Sequence, residues 1–285
     1  NARVDVEKLS KSYNTEPLIS GGYMFKFDKG SPGDGGFVIT GVDHKGVTNR
    51  TSLEMVDPKT VEIEEPGRQP QKEFIENYLT DMGNSFTNPD PLTGYPSFID
   101  VESWIDQHLL VTFLDDSDGF QASHYFFKRR EHRVEAGPTW DMDRILSGSP
   151  DEWRNGFTTP GLAWFHAPLA DPDYRQRFID RYQELRASVM QTSNINSILA
   201  SLAAELTVAS ASRNGSGGWL GRVDSMQQWL ERRVNWIDSQ LIPKPQMDPP
   251  LVTGGLGDDL PPGSFAFDFG PAESVVAEGY TGVGD

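Results

Sequence analysis

Between Asp171 and Leu241 apolar residues recur at steps of three and four, and this periodicity is the strongest constraint on what the chain can fold into. Tyr174, Phe178, Tyr182, Leu185 and Val189 form one stripe, and Asp171 stands where a helix cap is needed. Ile195, Ile198, Leu199, Leu202 and Leu206 form a second. Val223, Met226, Leu230, Val234, Ile237 and Leu241 form a third. Each stripe marks one side of a helix and is read as a core face. The same spacing at Phe74, Ile75, Tyr78, Leu79 and Met82 predicts a helix after Pro70. Ile105, Leu109 and Phe113 predict another, capped by Asp100.

Elsewhere the period is two. Tyr23, Phe25 and Phe27 lie on one face of a strand bounded by glycines. A Gly-rich loop from Ser31 to Gly36 leads into a strand at Phe37–Thr40. Arg3–Val6 also alternates, and residues 3–65 as a whole read as strands and turns. The glycines here are turn residues, since no Gly-x-x-x-x-Gly-Lys-Ser/Thr pattern is present. Ser123–Arg130 and Arg133–Glu135 read as a strand pair with a charged turn between them. The fold class is therefore α+β. Composition changes at Pro243, beyond which there are seven acidic residues and one basic residue, Lys244. Residues 243–262 read as a Pro/Gly-rich linker. Residues 263–285, with the alternating Ser264–Phe269, read as the start of a truncated β-rich module, the first strands of a β-sandwich.

Bulk properties exclude several functions. The 285 residues carry a formal net charge of −17, the opposite of the basic surface that meets nucleic-acid phosphates. There is no cysteine, so disulfide frameworks, zinc-thiolate sites and cysteine nucleophiles are ruled out. No apolar run approaches the roughly 20 residues of a membrane helix, so membrane insertion is not expected. No signal peptide is visible. The first residue is Asn1 rather than Met, and the chain is read as a piece of something longer.

Two acidic groups remain as chemistry. Asp115-Asp116-Ser117-Asp118-Gly119 closes a hydrophobic helix, and Asp141-x-Asp143 follows Gly137-Pro138-Thr139-Trp140. The strand pair between them can bring both to one end of a hairpin. Carboxylates two positions apart on a turn can hold Mg²⁺ or Mn²⁺, which in turn meets phosphate oxygens. A carboxylate 23 positions upstream, Asp118, could take a proton from an attacking hydroxyl. That division of labour serves phosphoryl transfer in protein kinases. Spacing alone leaves other readings open: a surface Asp pair, a helix cap, or a glycosidase carboxylate pair. By spacing, the five histidines (His44, His108, His124, His132 and His166) form no metal-ligand pattern and read as structural.

The order of motifs adds a resemblance. Arg3–Leu9, Ile19–Gly30, Phe98–Leu110, Asp118-Gly119-Phe120 with Ser123–Lys128, Ala136–Asp143, and Asp171–Tyr174 with Arg181–Arg186 follow one another as in the CotH kinase family. This family is named for a spore-coat protein, and the chain is similar to its secreted bacterial forms over about residues 1–242. The resemblance implies a divergent protein-kinase-like fold, with part of a β-rich N-lobe and a helical C-lobe. It also implies Mg²⁺- and ATP-dependent phosphorylation of serine-rich proteins, in a secreted or cell-surface setting. Asp118 would be the catalytic-loop aspartate, Asp141 the main metal ligand, and Asp143 a second ligand or orienting group. Many members carry Asn soon after the catalytic Asp; here Ser123 or His124 would replace that contact. The family's nucleotide-positioning Lys and Glu are expected upstream of residue 1. The rival expectation is a non-catalytic surface module that binds a protein or polysaccharide, as adhesins of this family do.

Overall fold

Asp100 ends an extended segment and starts a helix by accepting the Ser103 amide at 2.9 Å. The helix it opens, Val101–Leu114, is the element around which the others are arranged. This computed structural model describes residue 16 and residues 19–28, 36–42, 48–120, 122–146, 148–153, 164–214, 216–242, 267–268 and 281–282. The expected strand at Arg3–Val6 and the loop at 31–35 lie outside them. In chain order the main elements are β1 (Tyr23–Phe27), β2 (Gly36–Val42), β3 (Thr48–Asp57), α1 (Thr60–Ile63), α2 (Gln69–Ser85), α3 (Tyr95–Phe98) and α4 (Val101–Leu114). There follow β4 (His124–Lys128), β5 (Val134–Ala136), α5 (Pro172–Ala187), α6 (Thr192–Asn214) and α7 (Ser216–Leu241). The architecture is mixed helix and antiparallel sheet. Short helix α1 falls where the sequence suggests strands running on to residue 65.

The sheet has the order β2-β3-β1-β4-β5. Strand β1 lies in the middle, pairing with β3 on one side and β4 on the other. Tyr23 is opposite Lys128, Phe25 opposite Phe126 and Phe27 opposite His124. The period of two sends Tyr23, Phe25, Phe27, His124 and Phe126 to the buried face. Lys26 and Tyr125 take the other face. Strands β1 to β3, expected as part of a separate β-rich lobe, thus join one sheet with the β4–β5 hairpin.

Aromatic side chains fill the space between this sheet and α4. Trp104 stacks against Phe165 at 4.8 Å and meets Phe126 at 5.1 Å. Phe27 meets Trp164 edge-on at 5.0 Å. Such pairs add about 0.5–1.5 kcal/mol each beyond the area they bury. The indole N–H of Trp104 donates to the Val134 carbonyl at 3.0 Å, so the core ring carries no unpaired donor. The helices lock by charge as well. Arg181 of α5 forks onto Asp106 of α4 (2.7 and 3.2 Å), and Arg177, one turn earlier, pairs with Glu102. Arg186 forks onto Asp238 of α7, with both contacts at 2.9 Å.

Not every apolar stripe is buried. Tyr174, Phe178 and Tyr182 of α5 are, as are Leu230, Val234 and Ile237 of α7. Val189 lies past the end of α5 and is exposed, and Met226 is exposed on α7. On α6, Ile198, Leu202 and Leu206 are 58%, 51% and 49% exposed. That stripe is therefore not a core face: α6 packs on α7 as a helical hairpin, which covers one side only. The chain divides into two compact units, residues 1–242 and 243–285. Among the described residues the second shows a parallel pair of two-residue strands, Phe267–Asp268 with Thr281–Gly282. Most of the β-rich module expected at 263–285 lies outside the described residues.

Removing the ring of Trp104 leaves a cavity and takes away one of the two donors on the Val134 carbonyl. Trp104→Ala is expected to cost about 3–5 kcal/mol in urea unfolding. Loss of the cap in Asp100→Ala is expected to cost only about 1 kcal/mol.

Candidate functional site

Helix α4 stops because Asp115 turns left-handed, at φ 48° and ψ 49°. Asp115 and Asp116 are then buried, 3% and 2% exposed, rather than solvated as an acidic run would ordinarily be. The Asp116 carboxylate accepts the Asp118 amide at 3.1 Å, and the Asp118 carbonyl accepts the Ala122 amide at 2.7 Å. Gly119 is required by space: a Cβ there would come within 2.7 Å of Val111 and 2.9 Å of the Asp116 carboxylate. Gly148 is required in the same way, because its Cβ would lie 2.3 Å from Asp115 Oδ2. Trp229 of α7 holds that glycine by donating to its carbonyl at 3.0 Å.

The second acidic segment leaves the β4–β5 hairpin. The Gly137 amide donates to the Tyr125 carbonyl at 2.8 Å, and a φ of +127° reserves this position for glycine. Asp141 is left-handed (φ 56°, ψ 52°), and Met142–Arg144 form a single 3-10 turn. Asp141 and Asp143 both face solvent. Arg144 connects the two segments. Its Nε donates to Ser117 Oγ at 3.2 Å and lies 3.7 Å from Asp118 Oδ2, and its carbonyl accepts the Ser117 amide. The Leu146 amide donates to the Leu114 carbonyl at 2.7 Å. The structure thus brings the Asp118 loop against the segment that carries Asp141 and Asp143.

Ser123 and His124 go opposite ways. Ser123, at φ 55°, turns its hydroxyl to Asp141 Oδ2 at 3.4 Å, a long and weak contact. His124 enters the core, 1% exposed, with its ring 4.7 Å from Phe165. Its Nδ1 meets the Gly119 carbonyl, so Nδ1 carries the proton. Burial depresses its pKa to about 4, although the Gly119 hydrogen bond pulls the other way. Of the two residues suggested by the resemblance, Ser123 stands beside Asp141, while His124 holds the loop from behind. Among the described residues five non-glycine positions have positive φ, and four of them, Asp115, Ser123, Asp141 and Leu146, lie in or beside these two segments. Strain of this kind, typically 1–3 kcal/mol per residue, concentrates at functional sites.

One cation escaped sequence reasoning. Lys26 lies on the outer face of β1, with its ammonium 2.8 Å from Asp28 and 3.2 Å from Glu54 of β3. Burial lowers its pKa, but the hydrogen bonds to Asp28 and Glu54 outweigh this and raise it overall. The ammonium lies 5.7 Å from the centre of the Tyr125 ring, and Tyr125 touches Trp140, the neighbour of Asp141. The available signal was the alternation of β1, which turns Lys26 away from Tyr23, Phe25 and Phe27. The partnership with Glu54 depends on strand pairing 28 positions away and has no local signature.

Among the described residues, no three His, Cys, Asp or Glu side chains gather into a metal-holding group. This donor set does not suit a closed protein cage. Asp141 and Asp143 are the carboxylates that could meet Mg²⁺, which keeps its waters and binds one or two carboxylates together with substrate phosphates.

A mixed α/β domain whose two acidic segments meet at one end of a hairpin is the class defined by fold and site. The sequence matches the family of CotH kinase proteins over residues 4–239, and the chain belongs to that family. Neither the curated proteins nor the solved structures contain a match to it. No helix among the described residues is long and apolar enough to cross a membrane.

Neutral His124 makes the fold sensitive to acid. The unfolded ring takes up a proton below about 6.5, whereas the folded ring resists until about 4. Its contribution is present above pH 6.5 and is lost as pH falls toward 4, on the order of 3 kcal/mol by pH 4. Urea midpoints measured across this window should fall with pH, and His124→Phe should reduce the slope.

Proposed function

We propose that this chain is a CotH-type protein kinase domain that transfers phosphate from Mg-ATP to Ser or Thr hydroxyls of protein substrates. The observation that supports this most is the junction of the Asp118 loop with the Asp141–Asp143 segment through Arg144. In this reading α4 to α7 form the helical part, and the five-stranded sheet, hairpin included, supplies the other side of the nucleotide site. A secreted or cell-surface setting and a Ser/Thr-rich protein partner go with it, by family.

Each residue has a part. Asp118 orients the acceptor hydroxyl and receives its proton as the oxygen bonds to the γ-phosphorus and the bond to the leaving phosphate breaks. Asp141 would hold Mg²⁺ (or Mn²⁺), with Asp143 as a second ligand or an orienting group and Ser123 steadying Asp141. The ion supplies charge neutralisation of the phosphate oxygens. Lys26, backed by Glu54, is the phosphate-side cation, a part expected from residues upstream of Asn1. Arg144 ties the Asp118 loop to the Asp141–Asp143 segment, and His124 fixes the height of the loop through Gly119.

Radiolabelled phosphate transfer to a Ser-rich protein tests the assignment. Asp118→Asn and Asp141→Ala should each lose at least about 100-fold in rate, and Lys26→Met should raise the KM for ATP. Equal incorporation by wild type, Asp118→Asn and Asp141→Ala would sink it. Calorimetric titration with Mg-ATP separates the rival adhesion module: a kinase domain releases or takes up heat, whereas a binding module with a degenerate site gives none.

A further inference from the structure

A cavity of about 370 Å³ lies among α4, α5, α7 and Phe120. Its walls are mostly apolar, with Val111 of α4, Phe120, Phe178 and Ile179 of α5, and Leu241 of α7, while Thr112, His166 and Gln240 also line it. This size and lining fall within the range of small-molecule sites, roughly 300–1,000 Å³ with few polar groups. Neither Asp118, Asp141 nor Asp143 lines it. Phe120 is the point of contact with the acidic loop, two residues past Asp118.

Two polar features decide what would fit. Arg175 lines the cavity from the first turns of α5 and is exposed to solvent. Its Nε and Nη2 both donate to the Leu169 carbonyl, at 3.0 and 2.9 Å, which fixes the guanidinium in place. No carboxylate pairs with it among the described residues, although the chain carries 42 acidic residues against 25 basic. The second feature is His108 on the inner wall, 2% exposed and stacked on His166 at 5.4 Å. Its Nδ1 is buried without a hydrogen-bond partner. Burial, and then His166 and His124 nearby, hold His108 neutral, well below the usual histidine range. His108 therefore adds no charge to the inner wall, and the guanidinium is at the rim.

We infer that this cavity binds a small apolar carboxylic acid, its chain among Phe120, Phe178, Ile179 and Leu241 and its carboxylate on Arg175. An aliphatic or aromatic tail satisfies the walls. A fixed guanidinium with no protein carboxylate of its own is the complement of a carboxylate head. An amine head is disfavoured by the same cation. The inference does not depend on phosphoryl transfer.

Calorimetric titration of the whole 285-residue chain with sodium octanoate tests it, with octan-1-ol as the uncharged counterpart. Saturable octanoate binding is expected, weakened about tenfold or more in Arg175→Gln. Octan-1-ol should bind wild type and Arg175→Gln alike. Ile179→Trp, which fills the cavity, should abolish both; should that variant not fold, Leu241→Trp serves the same purpose. No saturable octanoate binding to wild type would overturn the inference. So would octanoate affinity unchanged in Arg175→Gln, or binding that survives the filled cavity.

Discussion

The contact between Trp104 and the hairpin carries the rest of the structure. Its ring fills the space between α4 and the sheet, and its N–H holds the Val134 carbonyl at the start of β5. Asp100 is tied to the same carbonyl through its own amide, at 2.8 Å. The start of α4 is therefore fixed to the hairpin by two donors on one oxygen. With that end fixed, the other end of α4 delivers Asp115 and Asp116 to a set height. The hairpin, held by the same bonds, delivers Asp141. The aromatic core thus sets the spacing of the two acidic segments.

The acidic loop shows how burial and function are traded. Asp115 and Asp116 are carboxylates taken out of water, which is costly unless they are hydrogen-bonded. Asp116 meets that cost by accepting the Asp118 amide, and glycines at 119 and 148 leave room for the two carboxylates. The outcome is a rigid loop from which Asp118 projects beside Arg144. His124 adds a strut from below: a neutral ring in an aromatic core, bonded to the loop at Gly119. Under the proposed function, such support would serve Asp118, since misplacement by a fraction of an ångström lowers the efficiency of a reacting group.

Much of the fold was legible because its signals are local. Asp100 and Asp171 cap helices by accepting amides two or three residues on, and the apolar steps of α2, α4 and α5 match their buried faces. The hairpin at Ser123–Glu135 shows in its own alternation. The α6 stripe failed for a reason of the same kind. Periodicity reports that one face of a helix is apolar, not what stands opposite, and here α7 covers only part of it. His124 is another case. Next to Ser123 in sequence, it points to the opposite side because β4 begins there and alternation sends successive side chains to opposite faces.

By itself the sequence determined the element types, the two acidic segments and membership of the CotH kinase family, since each rests on residue order or short-range spacing. Only the tertiary structure decided which residues meet. It put Ser123 rather than His124 beside Asp141, set Arg144 against Asp118, and joined Lys26 to Glu54 across two strands. It also left Arg175 without a carboxylate at the mouth of an apolar cavity. The physical reason is common to all four. Caps and stripes act over a single turn, whereas these contacts depend on the strand order β2-β3-β1-β4-β5 and on the height at which Trp104 holds α4.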